Sequence, residues 1–136
     1  MKYSVTTYPP APQHSVRTLD GVLQYAPIGD LELETGGVLP DVVLGYETWG
    51  TLNSDASNAV LIPHALTGST HVAQGSTDEP GWWDGLVGPG RTIDTNRFYV
   101  VSINMVGGCY GSTGPASADR EGLPWGSRFP FVTIRD

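Results

Sequence analysis

Few side chains in this sequence could do chemistry, and the most suggestive arrangement lies in Ala59–Ser69, AVLIPHALTGS. Val60, Leu61 and Ile62 run on from Ala59 without alternation, the pattern of a strand buried on both faces, and Pro63 cannot continue its ladder. The turn that follows, His64-Ala65-Leu66-Thr67-Gly68, falls at the carboxyl end of that strand, where open α/β sheets place their ligand crevices. A turn built from Gly and small side chains leaves backbone N–H groups free to face a substrate oxygen. It is a candidate oxyanion hole, and it lacks a nucleophile.

The other reactive residues read more plainly. His64 at a strand end suits a turn-holding hydrogen bond better than general-base work. Cys109 is the single cysteine; as a nucleophile it would need a base such as His64 or His71 beside it, and lone cysteines are more often inert. With His14 these are three scattered histidines, which give no metal spacing, and one cysteine allows neither an internal disulfide nor a cysteine-rich zinc site. The glycines of 107–114 match neither G-x-G-x-x-G nor a P-loop with its lysine. Asp84, Asp94 and Asp119 read as turn and cap residues. Arg128 and Arg135 could meet an anionic substrate, although an arginine near a proline-rich loop more often bonds carbonyls.

The elements that must position the turn follow from patterning. Leu31-Glu32-Leu33-Glu34 alternates before Gly36-Gly37, and Val42–Gly50 is rich in β-branched and aromatic residues, so a hairpin is expected ahead of the apolar strand. Gly81-Trp82-Trp83-Asp84-Gly85-Leu86-Val87 suits a short helix stopped by Gly88-Pro89-Gly90, with one tryptophan over the loop after Ser69 and the other in the core. Phe98–Val106 is a second continuous apolar strand ending in the Gly-rich 107–115 segment, which completes a βαβ-like unit. Residues 1–16, with three prolines, suit a flexible arm, and 17–136 the folded part.

Composition narrows the function classes. The chain has 136 residues, enough for one domain with a real core, yet its 18 glycines and 11 prolines imply much loop. A formal charge of −7 with seven Lys and Arg opposes nucleic-acid binding. There is no apolar leader core and no long apolar run, so the expectation is a cytoplasmic protein that meets no membrane.

Three blocks then carry a resemblance: PHALTGS at 63–69, GWWDGLVGPGRTIDTNRFYVVSINMVGGCYGSTGPAS at 81–117 and GSRFPFVTIRD at 126–136. Together they resemble the amino-terminal part of homoserine O-acetyltransferase, an α/β-hydrolase-fold acyltransferase of methionine biosynthesis. The resemblance covers roughly residues 20–136. It implies an incomplete α/β-hydrolase fold, with antiparallel first strands and then a parallel βαβ unit. The implied reaction moves an acyl group from acetyl-CoA, a co-substrate, to a serine and then to the L-homoserine hydroxyl, with no bound cofactor and no metal. Within it, the Leu66 backbone N–H is the oxyanion donor, with Thr67 the alternative, and His64, Ala65, Asn104, Gly107 and Gly108 are pocket-lining candidates.

The sequence departs from that family's pattern in one respect. It has no G-x-S-x-G, and neither Gly111-Ser112-Thr113-Gly114 nor Gly75-Ser76 lies where a nucleophile elbow should. The resemblance therefore implies a serine, an aspartate and a histidine beyond Asp136, and no catalytic residue within these residues. The chain alone is expected to be inactive and to aggregate or dimerise, and the full-length enzyme to be a homodimer. Serine O-acetyltransferase, homoserine O-succinyltransferase or an esterase of the same fold are alternative activities. A non-enzymatic truncated module that binds a partner is another.

Overall fold

A computed structural model describes residues 19–136. The arm expected over residues 1–16, and His14 with it, lie outside the described residues.

Two strands open the fold. β1 (Gln24–Glu32) and β2 (Val38–Trp49) form the antiparallel hairpin expected from the alternation and the glycine pair. Its turn depends on those glycines, because Gly36 and Gly37 hold φ at 89° and 91°, a region that side chains rarely enter. After the 51–58 turn cluster come β3 (Ala59–Leu61), the short parallel pair β4 (Val87–Gly88) and β5 (Ile93–Asp94), and β6 (Tyr99–Ile103). The main sheet has the order β1-β2-β6-β3. β6 runs antiparallel to β2, with Glu47 opposite Ser102, and parallel to β3, with Leu61 opposite Val101.

Two expectations about the apolar strands are corrected by this arrangement. β3 is not buried on both faces: it is the edge strand of the sheet, and Leu61 is 60% exposed. In β6, Val100 and Ser102 are buried while Tyr99, Val101 and Ile103 are half-buried. The reason is that β3 and β6 are packed on one face alone. Val100 joins Trp49, Ile62, Val72, Ala73 and Val87 in a core, with Val60 against it, whereas the face carrying Ala59, Leu61, Val101 and Ile103 has no helix over it among the described residues.

The expected helix at 81–87 is also corrected. Residues 82–86 form consecutive turns instead, with the Leu86 and Val87 N–H groups both donating to Trp83 O, at 2.8 and 2.9 Å. Glycines at 81, 85, 88 and 90 leave too few consecutive helix formers to nucleate one. The β3-to-β6 connection is consequently irregular, and the parallel pairing of the expected βαβ-like unit is present without its helix. Residues 81–83 instead run beside 71–73, with Trp82 N–H donating to His71 O and Trp83 N–H to Val72 O at 2.7 Å. Gly81 permits that approach, since a Cβ there would stand 2.2 Å from the Ala73 Cα.

A second cluster, Leu33, Leu39 and Val42, is covered by Trp125, Phe129 and Val132 from the tail, where Gly126–Arg128 makes one 3-10 turn. Asp136 caps no helix; its carboxylate accepts the Glu34 and Thr133 N–H groups, each at 2.6 Å.

Candidate functional site

Because β3 and β6 are parallel, the segments leaving their carboxyl ends, 62–70 and 104–114, emerge on the same side of the sheet. Between them opens a cavity of about 370 Å³ lined by Ala65, Thr67, Gly68, Ser69, Trp82 and Tyr110. The expected turn forms its floor. Gly68 N–H donates to Ala65 O at 2.8 Å, which closes a β-turn whose central residues are Leu66 and Thr67. Neither has a positive φ, so the turn is of the type I kind. Such a turn leaves both central N–H groups outside its own bond, and here neither amide has a hydrogen-bond partner among the described residues. The Leu66 side chain is fully exposed, so nothing covers the turn.

Other candidates are placed differently. The His64 ring donates from Nδ1 to Ala65 O at 2.7 Å, and its buried Nε2 has no hydrogen-bond partner among the described residues. Asn104 is buried and structural in its contacts: Oδ1 accepts Thr70 N–H at 3.1 Å and Nδ2 donates to Tyr110 O. It ties the two loops that border the cavity without lining it. Gly107 and Gly108 spend their N–H groups internally, on Thr113 O and Met105 O. Cys109 is exposed. Where β6 ends, Thr113 takes over beside β2, exchanging bonds with Val43, and Ser112 Oγ accepts Gly45 N–H.

Of the tryptophans, Trp82 lies as expected, donating from Nε1 to Ser69 O at 3.0 Å. Trp83 does not enter the core, and its ring stacks obliquely on Trp82 with 4.8 Å between centroids. Asp84, Asp94 and Asp119 each accept loop N–H groups, as turn residues do. Arg128 bonds the Pro124 carbonyl and Asp119, and Arg135 pairs with Glu34.

A polar group that the sequence reading did not single out stands immediately behind the turn. Glu47, only 5% exposed on β2, accepts Thr70 Oγ1 at 2.6 Å and faces His71 Nδ1 at 2.8 Å, while His71 Nε2 faces Glu79 O at 2.9 Å. Burial disfavours the charged imidazole, but the bonds to Glu79 O and Glu47 and the charges of both glutamates outweigh it and raise the His71 pKa above its ordinary value. The available signal was a charged residue between Tyr46 and Trp49 in a strand otherwise suited to burial, since a buried acid requires a donor.

The hairpin, the parallel β6–β3 pair and the crevice at their carboxyl ends make this fold the amino-terminal portion of an α/β-hydrolase. More particularly, the chain is homologous to homoserine O-acyltransferases. It is 61% identical over 109 residues to homoserine O-acetyltransferase of Thermobifida fusca, an alignment covering 78% of this chain and 29% of that protein. To homoserine O-succinyltransferase of Aromatoleum aromaticum it is 54% identical over 110 residues, covering 78% and 29%. Among solved structures, homoserine O-acetyltransferase from Bacillus anthracis superposes with a TM-score of 0.75 at 35% identity, covering 82% of this chain and 32% of that one. An acetylester hydrolase from Corynebacterium glutamicum gives 0.68 at 38% identity, covering 84% and 30%. The chain thus spans about a third of the length of the proteins it matches. No family model matches it. No helix among the described residues is long and apolar enough to cross a membrane.

Proposed function

We propose that this chain contributes the oxyanion turn and one wall of the pocket of a homoserine O-acetyltransferase, which moves an acetyl group from acetyl-CoA to the L-homoserine hydroxyl through a serine ester. The observation that carries this reading is the Ala65–Gly68 turn, whose two central amides have no hydrogen-bond partner among the described residues and which borders a cavity at the carboxyl ends of parallel strands. When a serine attacks a thioester carbonyl, negative charge develops on the carbonyl oxygen, and a fixed N–H aimed at that oxygen lowers the barrier. Leu66 is the proposed donor, with Thr67 beside it. Ala65 and the rings of Trp82 and Tyr110 would wall the acyl pocket, with His64 holding the turn. The serine, the histidine that activates it and the aspartate that orients that histidine are proposed to lie on polypeptide other than residues 1–136. Cytoplasmic location, homodimerisation of the complete enzyme and the division into a 1–16 arm and a 17–136 folded part belong to the same proposal.

A second reading has specific support, because an acetylester hydrolase shares this fold segment at an identity similar to that of the acyltransferase. In that case water replaces homoserine as acceptor, and likewise succinyl-CoA can replace acetyl-CoA as donor. A coupled assay decides: the polypeptide that carries this chain together with its serine is offered acetyl-CoA or succinyl-CoA, with homoserine, serine or water. Acetyl-CoA with homoserine is expected to turn over fastest. Ester hydrolysis that homoserine does not suppress would replace the proposal with the esterase reading.

A further inference from the structure

We propose that Glu47 is a positioning residue of this site: its buried carboxylate clamps Thr70 and His71, and thereby fixes where the Leu66 and Thr67 amides stand. The inference deepens the proposed acyl-transfer function and rests on it.

The turn has no ladder of its own. On its amino side the last sheet bond is Ile62 N–H to Val101 O at 2.8 Å. On its carboxyl side, residues 69–71 are held by one backbone bond, Trp82 N–H to His71 O at 3.2 Å, and otherwise by side chains: Trp82 Nε1 to Ser69 O, Thr70 N–H to Asn104 Oδ1, Thr70 Oγ1 to Glu47 Oε1, and His71 to Glu47 Oε2. Between these anchors the bonds are local, Gly68 N–H and the His64 ring each meeting Ala65 O. The position of the turn is consequently set by its two ends, and Glu47 holds the carboxyl end twice.

Glu47 suits the task because it stands on β2, which is paired to β6 at this position with Ser102 opposite. Its two oxygens face one hydroxyl and one imidazole. The imidazole in turn faces two acceptors, the Glu47 carboxylate and the Glu79 carbonyl, and only a doubly protonated ring donates to both. The charged groups facing His71 are thus Glu47 and Glu79. A side-chain clamp of this kind transmits strand rigidity to a turn that must stay open to its substrate. A displacement of about an ångström at a reacting centre can cost as much as a hundredfold in rate.

The test uses the polypeptide that carries this chain together with its serine, with active sites titrated by a serine-directed phosphonate so that kcat is counted per reactive serine. Glu47→Ala is expected to lower kcat about tenfold to a hundredfold with KM for acetyl-CoA changed by less than about threefold. Glu47→Gln, which still accepts from Thr70 and lets a neutral His71 accept at Nδ1, is expected to recover most of it. In the nitrogen-15 spectrum of the wild type, His71 is expected to be doubly protonated near neutral pH and to lose that signature in Glu47→Gln. If Glu47→Ala does not fold, Thr70→Val severs the hydroxyl link alone and is expected to lower kcat about fivefold, in line with one lost hydrogen bond. Wild-type kcat per titrated serine in Glu47→Ala, or in Thr70→Val when it stands in, overturns the proposal. So does a loss that appears only as fewer titratable serines. A wild-type polypeptide that neither reacts with the phosphonate nor transfers acetyl refutes the acyl-transfer function itself, a result distinct from either.

Discussion

Replacing Leu66 with proline separates backbone from side chain at the one atom on which the acyl-transfer reading turns. Proline fixes φ near the value that the second position of a type I turn requires, so the Ala65–Gly68 bond is kept while the Leu66 N–H is removed. Leu66→Pro is expected to lower kcat about a hundredfold to a thousandfold, as loss of one oxyanion donor does elsewhere, with the urea midpoint nearly unchanged. Full activity in the proline variant would move the donor to Thr67 or out of this turn. His71 makes a second prediction at this scale. Its folded pKa is raised above the unfolded value near 6.5, so its stabilising contribution is complete below about pH 6.5 and is lost as pH rises through the folded pKa. Urea midpoints measured from pH 6 upward are expected to decline in the wild type, and this part of the decline is expected to vanish in His71→Gln. A flat wild-type profile would mean that folding leaves the His71 pKa unshifted, and a profile that rises with pH would mean that the folded chain holds the ring neutral.

Among the elements, the hairpin was readable because alternation and a glycine pair are local signals, and β1 and β2 meet where they indicate. The segment from Gly81 to Gly90 was not. Its apolar content suggested a helix, but its glycines serve a different purpose: Gly81 lets one extended segment lie directly on Ala73. Gly81→Ala forces a Cβ into backbone that cannot give way, and a loss of about 1–3 kcal/mol or more in unfolding free energy is expected from denaturant titration. Wild-type stability would show that 81–83 can shift without cost. The same shift would move Trp82, which bonds Ser69 O at the cavity, so the variant links packing to site geometry.

Where the sheet ends in β6 and β3, one face is packed and the other carries no helix among the described residues. Leu61 on the edge strand and Val101 and Ile103 beside it present apolar surface, and Leu66, Phe131 and Ile134 stand out from the loops. An edge strand with an apolar outward face is a template for pairing with another chain. The 136-residue chain expressed alone is therefore expected to self-associate in sedimentation velocity, and Leu61→Lys to lower the associated fraction by placing a charge on that edge. A monodisperse wild-type monomer would contradict this. At this scale the length and acidity of the chain, its hairpin, the two apolar strands and the His-Ala-Leu-Thr-Gly turn were all determined by the sequence itself. Each rests on residues adjacent along the chain, where propensity and turn chemistry act directly. Tertiary structure alone decided that β3 lies at an edge, that no helix bridges it to β6, and that Glu47 reaches Thr70 and His71 across more than twenty residues of sequence. Burial and long-range pairing depend on what else the sheet contacts, and no local pattern encodes which partner a buried carboxylate will find.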